Sequence, residues 1–260
     1  MPRYSANLTM LWPELRDPYA RFRVAAKAGF TRVERLFVHD LDPGRVQALL
    51  GELGLSLVLF DPYPGDWAGG ERGLLALPGR EGELRESVLA AIETAARLGN
   101  RLLNVLAGVV PEEQQATAQE VAIENLGALA PAADAAGVVL LVEPINVIDM
   151  PGYAFSSVPG AAEVVRAVDH PAVRLQFDAY HAARSGGDML QLLRREFDLV
   201  RHVQIADLPG RHQPGTGALP IEEFLSLLDT LGYQGAVGLE YIPLGTTDDA
   251  LAWLPREQRG

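Results

Sequence analysis

The sequence predicts a single-domain α/β fold, a (β/α)8 TIM barrel, on three observations. Strand-like apolar runs alternate strictly with segments of helical spacing, eight of each. The length of 260 residues is what one such barrel typically needs, and an apolar fraction of 48% fills one core. Four late runs, VVLLVEP, VRLQFDAYH, VRHVQIAD and AVGLEYIP, stop at Glu143, Asp178, Gln204 and Glu240, at intervals of 35, 26 and 36 residues. Each interval is about one strand-helix unit, so the four polar groups fall at one end of four neighbouring parallel strands. Alternation alone also permits an open doubly wound sheet, but only a closed barrel brings groups from so many consecutive strands onto one axis.

Taken in order, strand one is predicted at 3–8 and helix one at 17–28, where Asp17 caps, Pro18 presets the first turn and Gly29 follows the end. Strand two spans 31–37 and its helix 43–53, stopped at Gly54. Strand three, 55–60, precedes a long irregular segment at 61–80 and a helix at 80–99 that ends at Gly99. Strand four is placed at 101–107 with its helix at 113–136, before Gly137. Strand five, 138–143, leads to a helix at 157–168 opened by Ser157 and Pro159. Strands six, seven and eight lie at 173–178, 200–206 and 236–241, with helices at 187–197, 220–231 and 247–254. The repeated glycine after a helix is physical, because glycine enters the left-handed conformation without the usual steric cost. No serine-rich or glycine-rich linker interrupts the chain, so one domain covers 1–260.

Residues two apart on a strand face the same way. With the four polar ends inward, Leu141, Gln176, His202 and Gly238 are inward too. The other parity reads Val142 and Leu140, Phe177 and Leu175, Ile205 and Val203, Leu239 and Val237, all suited to lie under helices.

Composition limits the function. With 34 acidic and 22 basic residues the formal charge is -12, which disfavours a phosphate-backbone partner. Cysteine is absent, excluding disulfides, thiolate metal sites and a cysteine nucleophile. No apolar run approaches a membrane span and the start lacks a leader pattern, so the expectation is a cytoplasmic protein with no membrane partner. A homo-oligomer stays open.

Three carboxylates and an amide oxygen are hard ligands that suit one Mg2+ or Mn2+, and a divalent cation relieves the repulsion of converging acids. Glu143 and Glu240 also make a proton-transfer pair: one takes the acidic hydrogen beside a polarised carbonyl and the other returns it. That chemistry is aldose-ketose isomerisation, or epimerisation if the proton returns to the same carbon. His181, in FDAYH, is expected on the loop past strand six, and Arg211, in LPGRHQPGTG, offers a planar fork for a substrate carboxylate. Asn7 and Glu34 sit late in strands one and two, either at the same mouth or as buried hydrogen-bonding groups. The 61–80 segment is read as a lid hinged at Gly69-Gly70, carrying Trp67, Glu71 and Arg72 towards the substrate. No glycine cluster opens a helix after strand seven or eight, which weakens sugar phosphates as substrates.

SANLTMLW, GDWAGGERG, LPGRE, LVEPIN, FDAYH, HVQIAD and GLEYIP together resemble the hydroxypyruvate isomerase family, among the xylose-isomerase-like barrels. The match runs over nearly the whole chain, and GDWAGGERG is its most specific part. The resemblance implies interconversion of hydroxypyruvate and 2-hydroxy-3-oxopropanoate (tartronate semialdehyde). It places the catalytic glutamates at Glu143 and Glu240, divalent-metal ligands at Glu143, Asp178, Gln204 and Glu240, and substrate contacts at His181 and Arg211. One departure concerns the end of strand three, where Phe60 and Asp61 stand in place of a His-Asn pair. The related 2-oxo-tetronate isomerases share the phenylalanine and a similar LPxRHxP segment, making a four-carbon acid the alternative substrate. Trp67 and Pro144-Ile145-Asn146 look more like the hydroxypyruvate branch. A phosphodiesterase resembling endonuclease IV shares the barrel, but it needs more histidine ligands than five histidines readily supply.

Overall fold

The structure, a computed structural model, describes residues 2–260. Its eight strands are β1 (Arg3–Asn7), β2 (Arg32–Phe37), β3 (Ser56–Asp61), β4 (Leu102–Asn104), β5 (Val139–Val142), β6 (Val173–Asp178), β7 (Val200–Ile205) and β8 (Ala236–Leu239). All pair in parallel in sequence order, and β8 returns to β1 to close the barrel. The helices are α1 (Pro18–Lys27), α2 (Pro43–Leu53), α3 (Glu81–Leu98), α4 (Gln115–Ala135), α5 (Val158–Val168), α6 (Ala179–Arg184), α7 (Met189–Glu196), α8 (Ile221–Thr230) and α9 (Thr247–Ala250).

Two differences from the sequence reading concern helices. The last helix is a single short turn. An additional helix, α6, starts directly from β6, because the Asp178 carboxylate caps it by accepting from the Tyr180 N–H at 2.8 Å. His181 is therefore helical rather than on a loop. The predicted caps are in place elsewhere: Asp17 accepts from Tyr19 N–H, Ser157 from Gly160 N–H, and Gly54 closes α2 in the left-handed region at φ 63°.

The strands separate two interiors. The outward parity packs under the helices, with Val33, Leu140, Val142, Leu175, Phe177, Val203, Ile205, Val237 and Leu239 all buried, and the Phe177 and Phe224 rings stacked at 5.8 Å. The inward parity brings a cluster of polar groups to the axis beside Leu59 and Leu141. Glu34 is fully buried there and accepts from Ser5 Oγ at 2.9 Å, Asn7 Nδ2 at 3.2 Å, Gln204 Nε2 at 2.9 Å and His202 Nε2 at 3.0 Å. Four donors around one carboxylate offset the cost of burying it.

Gly238 makes room for this hub. A Cβ on it would lie 2.5 Å from both Glu34 carboxylate oxygens and 2.7 Å from Gln204 Cγ. Gly238→Ala is therefore expected to destabilise the protein by about 1–3 kcal/mol through overpacking. A urea midpoint equal to that of the parent chain refutes the close fit. Among the described residues no helix is long and apolar enough to cross a membrane.

Candidate active site

The carboxyl ends of the strands open onto a cavity of about 470 Å3 whose wall includes Asn7, Glu143, Gln204, Glu240, His181, Arg211 and Trp67. Every strand contributes a polar residue, at, next to or just past its end in seven of them and mid-strand in β2: Asn7, Glu34, Asp61, Asn104, Glu143, Asp178, Gln204 and Glu240. All eight are buried. Asp178 and Glu34 sit beneath the wall rather than in it.

The groups contact one another. Asn104 Nδ2 donates to Glu143 Oε2 at 2.7 Å. Arg211 Nη2 donates to Glu240 Oε1 at 2.6 Å and reaches Asp178 Oδ2 at 3.5 Å, while Gln204 Nε2 donates to the other Glu240 oxygen. Gln176 Nε2 donates to Gln204 Oε1 at 2.7 Å. His181 Nε2 stands 3.6 Å from Asp178 Oδ2.

Arg211 owes its position to the loop after β7. Buried Asp207 accepts from the N–H groups of Leu208 at 2.8 Å, Gly215 at 3.0 Å, Gly217 at 2.8 Å and Leu219 at 3.0 Å, gathering the loop around one carboxylate. Arg211 itself adopts φ 55°, unusual for a residue with a Cβ, and its carbonyl accepts from Ile242 N–H at 2.7 Å. Its guanidinium lies 5.2 Å from the Tyr180 ring centroid.

The electrostatics follow from burial and crowding. Burial, then Asp178, raises Glu143 to about 8, against opposing contributions from Arg211, Asn104 and Gln176. Burial also raises Asp178 and Glu240, and Glu143 and Asp178 add to the shift of Glu240. Asp61 is pushed well up by burial and then by Glu143, Glu240 and Glu34. Burial opposes charge on Arg211, but Glu240, Asp178 and Glu143 more than offset it, and the guanidinium holds its proton more tightly than usual. His181 is driven well below its ordinary value by burial and then by Arg211, so it is neutral.

A divalent cation fits this donor set. Ligand atoms of Glu143, Asp178 and His181 lie within 4.8 Å of one another. The buried side-chain oxygens Asn104 Oδ1 and Gln176 Oε1, on residues that neighbour Glu143, have no donor. Oxygen lone pairs thus outnumber positive charge, which a cation corrects. The expected ligand Gln204 already uses its oxygen to accept from Gln176, and Glu240 has both oxygens engaged by Arg211 and Gln204.

A pH dependence follows for the metal-free protein. Unfolded Glu143 titrates near its ordinary 4.5 and folded Glu143 near 8, so between them the folded state binds more protons. Stability contributed by that proton is full below the lower value and is lost as pH rises to the upper one, by about 1.4 kcal/mol per pH unit where the two states differ by one proton. Urea unfolding in chelator is expected to weaken from about pH 5 to about pH 8, and Mn2+ to flatten the trend. A flat profile in chelator contradicts the assignment.

The 61–80 segment is pinned rather than loose. Gly73 bridges Ala107, Leu75 N–H and Ala76 N–H donate to the carbonyls of Leu106 and Ala107, and Leu74 and Leu75 are buried. Trp67 packs edge-on against Phe37 at 4.9 Å under the Arg72 guanidinium at 4.2 Å, and it faces the cavity. Glu71 is turned to Arg80, at 2.5 Å, and accepts from Asp66 N–H at 2.5 Å, so it shapes the segment and does not line the cavity. Phe60 is buried on the outward parity, leaving Asp61 as the member of that pair in the wall.

Sequence reasoning missed Asn104, Gln176, Asn146 and Asp207 as site residues. Parity pointed at Gln176, a lone amide inside the LLNVL run marked Asn104, and Asp207 ends HVQIAD directly before the loop it organises.

Comparison with known proteins identifies the family. Residues 22–257 match the family described as "Xylose isomerase-like TIM barrel". The 2-oxo-tetronate isomerase of Cupriavidus necator is 41% identical over 98% of both chains. The hydroxypyruvate isomerase of Escherichia coli is 38% identical, again over 98% of each. A solved structure described as AP endonuclease, family 2, from Brucella melitensis superposes with a TM-score of 0.95 at 40% identity, covering 97% of this chain and 98% of that one. The chain therefore belongs to the hydroxypyruvate isomerase family within the xylose isomerase-like TIM barrels, and is an enzyme of the isomerase class.

Proposed function

We propose that the protein interconverts hydroxypyruvate and 2-hydroxy-3-oxopropanoate by proton transfer between Glu143 and Glu240. The observation that carries this reading is two buried glutamates in one cavity wall, each held by its own donors and each with its proton affinity raised. A carboxylate whose pKa approaches neutrality is a better base than an ordinary one, yet can carry a proton for the return step. One glutamate takes a proton from C3, the electron pair forms the C2–C3 double bond of an enediolate, and the other glutamate protonates C2. The C3 hydroxyl proton passes to the oxygen on C2, which completes the balance.

A divalent cation, Mn2+ or Mg2+, held by Glu143 and Asp178 would supply polarisation of the substrate carbonyl. The His181 tautomer supports a different role for the ring. Asn146 Oδ1 accepts from the N–H groups of Ile148 and Asp149, which orients the amide so that Nδ2 donates to His181 Nδ1 at 2.7 Å. A neutral ring that accepts at Nδ1 carries its proton on Nε2, inferred here from the network. His181 then offers an N–H to a substrate oxygen as charge develops, rather than a lone pair to a metal. Arg211 balances the charge of Glu240 and Asp178.

A second substrate, 2-oxo-tetronate, is favoured by Asp61, whose carboxyl in the wall offers a partner for an additional hydroxyl. The phosphodiesterase reading has little support, since His181 is the one histidine in the wall and the acids repel a phosphodiester. Proton NMR of the two substrates in heavy water, with and without chelator, decides among these readings. Turnover of hydroxypyruvate with deuterium entering at C2 is the expected result. Conversion of the four-carbon acid alone overturns the substrate assignment, and product formed without any deuterium overturns the proton-transfer mechanism.

A further inference from the structure

The opposite mouth of the barrel, at the amino ends of the strands, holds a second cavity of about 340 Å3. Arg3, Arg32, Arg101 and Arg201 line it, and no aspartate or glutamate does. In a chain of net charge -12 that is the reverse of the overall composition. Among the described residues none of these four arginines makes an ion pair, whereas Arg23, Arg35, Arg80, Arg166, Arg184, Arg195 and Arg211 all do.

The fold itself collects them. Arg3 and Arg32 are the first residues of the neighbouring strands β1 and β2, on the same parity as Asn7 and Glu34, so they sit at the barrel axis. Arg101 immediately precedes β4, and Arg201 is the second residue of β7. Gly235 and Ala236, also in the wall, leave space between them. Arg32 is half-buried, and its proton affinity is lowered by burial and then by Arg3, so the cluster carries uncompensated repulsion.

We propose that this mouth is a binding site for a small multivalent oxyanion, a phosphate ester or a polycarboxylate. Guanidinium groups pair with such oxygens in a forked geometry, and a multivalent anion relieves the repulsion among all four at once. The cavity is an open mouth of about 340 Å3, and the acidic balance of the rest of the chain disfavours an extended polyanion that would reach beyond it. The site lies a full barrel length from Glu143 and Glu240 and does not depend on the reaction assigned to them.

Isothermal titration of the full chain at low salt with inorganic pyrophosphate and, separately, with citrate distinguishes the two sources. One of the two is expected to bind with Kd on the order of 1 mM or tighter. Arg3→Gln combined with Arg32→Gln is expected to weaken it roughly tenfold or more, and salt to weaken it further. Arg201→Gln, an exposed position that folding tolerates, is expected to weaken it about threefold. Hydrogen exchange with and without the anion should show protection around residues 3, 32, 101 and 201. No binding of either anion, undiminished binding in Arg201→Gln, or protection confined to the segments holding Glu143 and Arg211 overturns the proposal.

Discussion

Glu240→Gln is expected to lower kcat by roughly three orders of magnitude, within the range of about 100-fold to 10,000-fold that positioned acid-base groups contribute. The amide oxygen still accepts from Arg211, so the side chain stays where it is, but it can neither take nor return a proton. Stability is expected to fall by about 1–3 kcal/mol, because Arg211 keeps only Asp178 as a close counter-charge and the new amide nitrogen meets Gln204 Nε2, although removal of a buried carboxyl offsets part of the loss. Glu143→Gln is expected to lose a similar factor, with the Asn104 hydrogen bond retained at the remaining oxygen. Progress curves in heavy water check both, since each variant should also stop deuterium entering product. Near-normal turnover in either would falsify the two-glutamate mechanism.

Arg211→Leu carries the second large effect, on stability as well as rate. Its guanidinium joins Glu240 and Asp178, and removing one partner of a buried ionic network typically costs about 3–5 kcal/mol. Discounting for protons that the raised carboxylates will take up, a loss of about 2–3 kcal/mol is expected near neutrality, and less at low pH. Lysine is not an equivalent replacement, because its compact, strongly hydrated ammonium is costlier to bury and lacks the planar group that lies against the Tyr180 ring. Thermal unfolding of Arg211→Leu and Arg211→Lys across pH tests this. A Leu variant as stable at about pH 8 as the parent contradicts the role.

Much of this arrangement was legible in the sequence because barrel strands read as short apolar runs with one polar terminus. Glu143, Asp178, Gln204 and Glu240 announced themselves that way, and parity placed Gln176, His202 and Gly238 on the axis. Asn104 was hidden because β4 has only three residues, too few for alternation to show. The helix α6 was missed because its cap is the same Asp178 that ends the strand, leaving no separate start signal. Glu71 looked available to a substrate because nothing in an irregular segment reveals that Arg80, nine positions on, will hold it. The direction of the Arg211 side chain depends on four backbone contacts to Asp207 that spacing cannot express.

The carboxylate of Glu34 also bears on how the chain folds. Two of its four donors come from β1 beside it, but His202 and Gln204 come from β7, 168 and 170 positions away. A half-barrel of the first four strands would leave this anion on an open sheet face, hydrated and with half its protein partners missing. Such an assembly has little stability to gain by forming early, so its strands are worth joining only when the distant ones arrive. Completion of this hub therefore waits on the late strands, and a fragment ending before β7 is expected to lack the stability that His202 and Gln204 contribute.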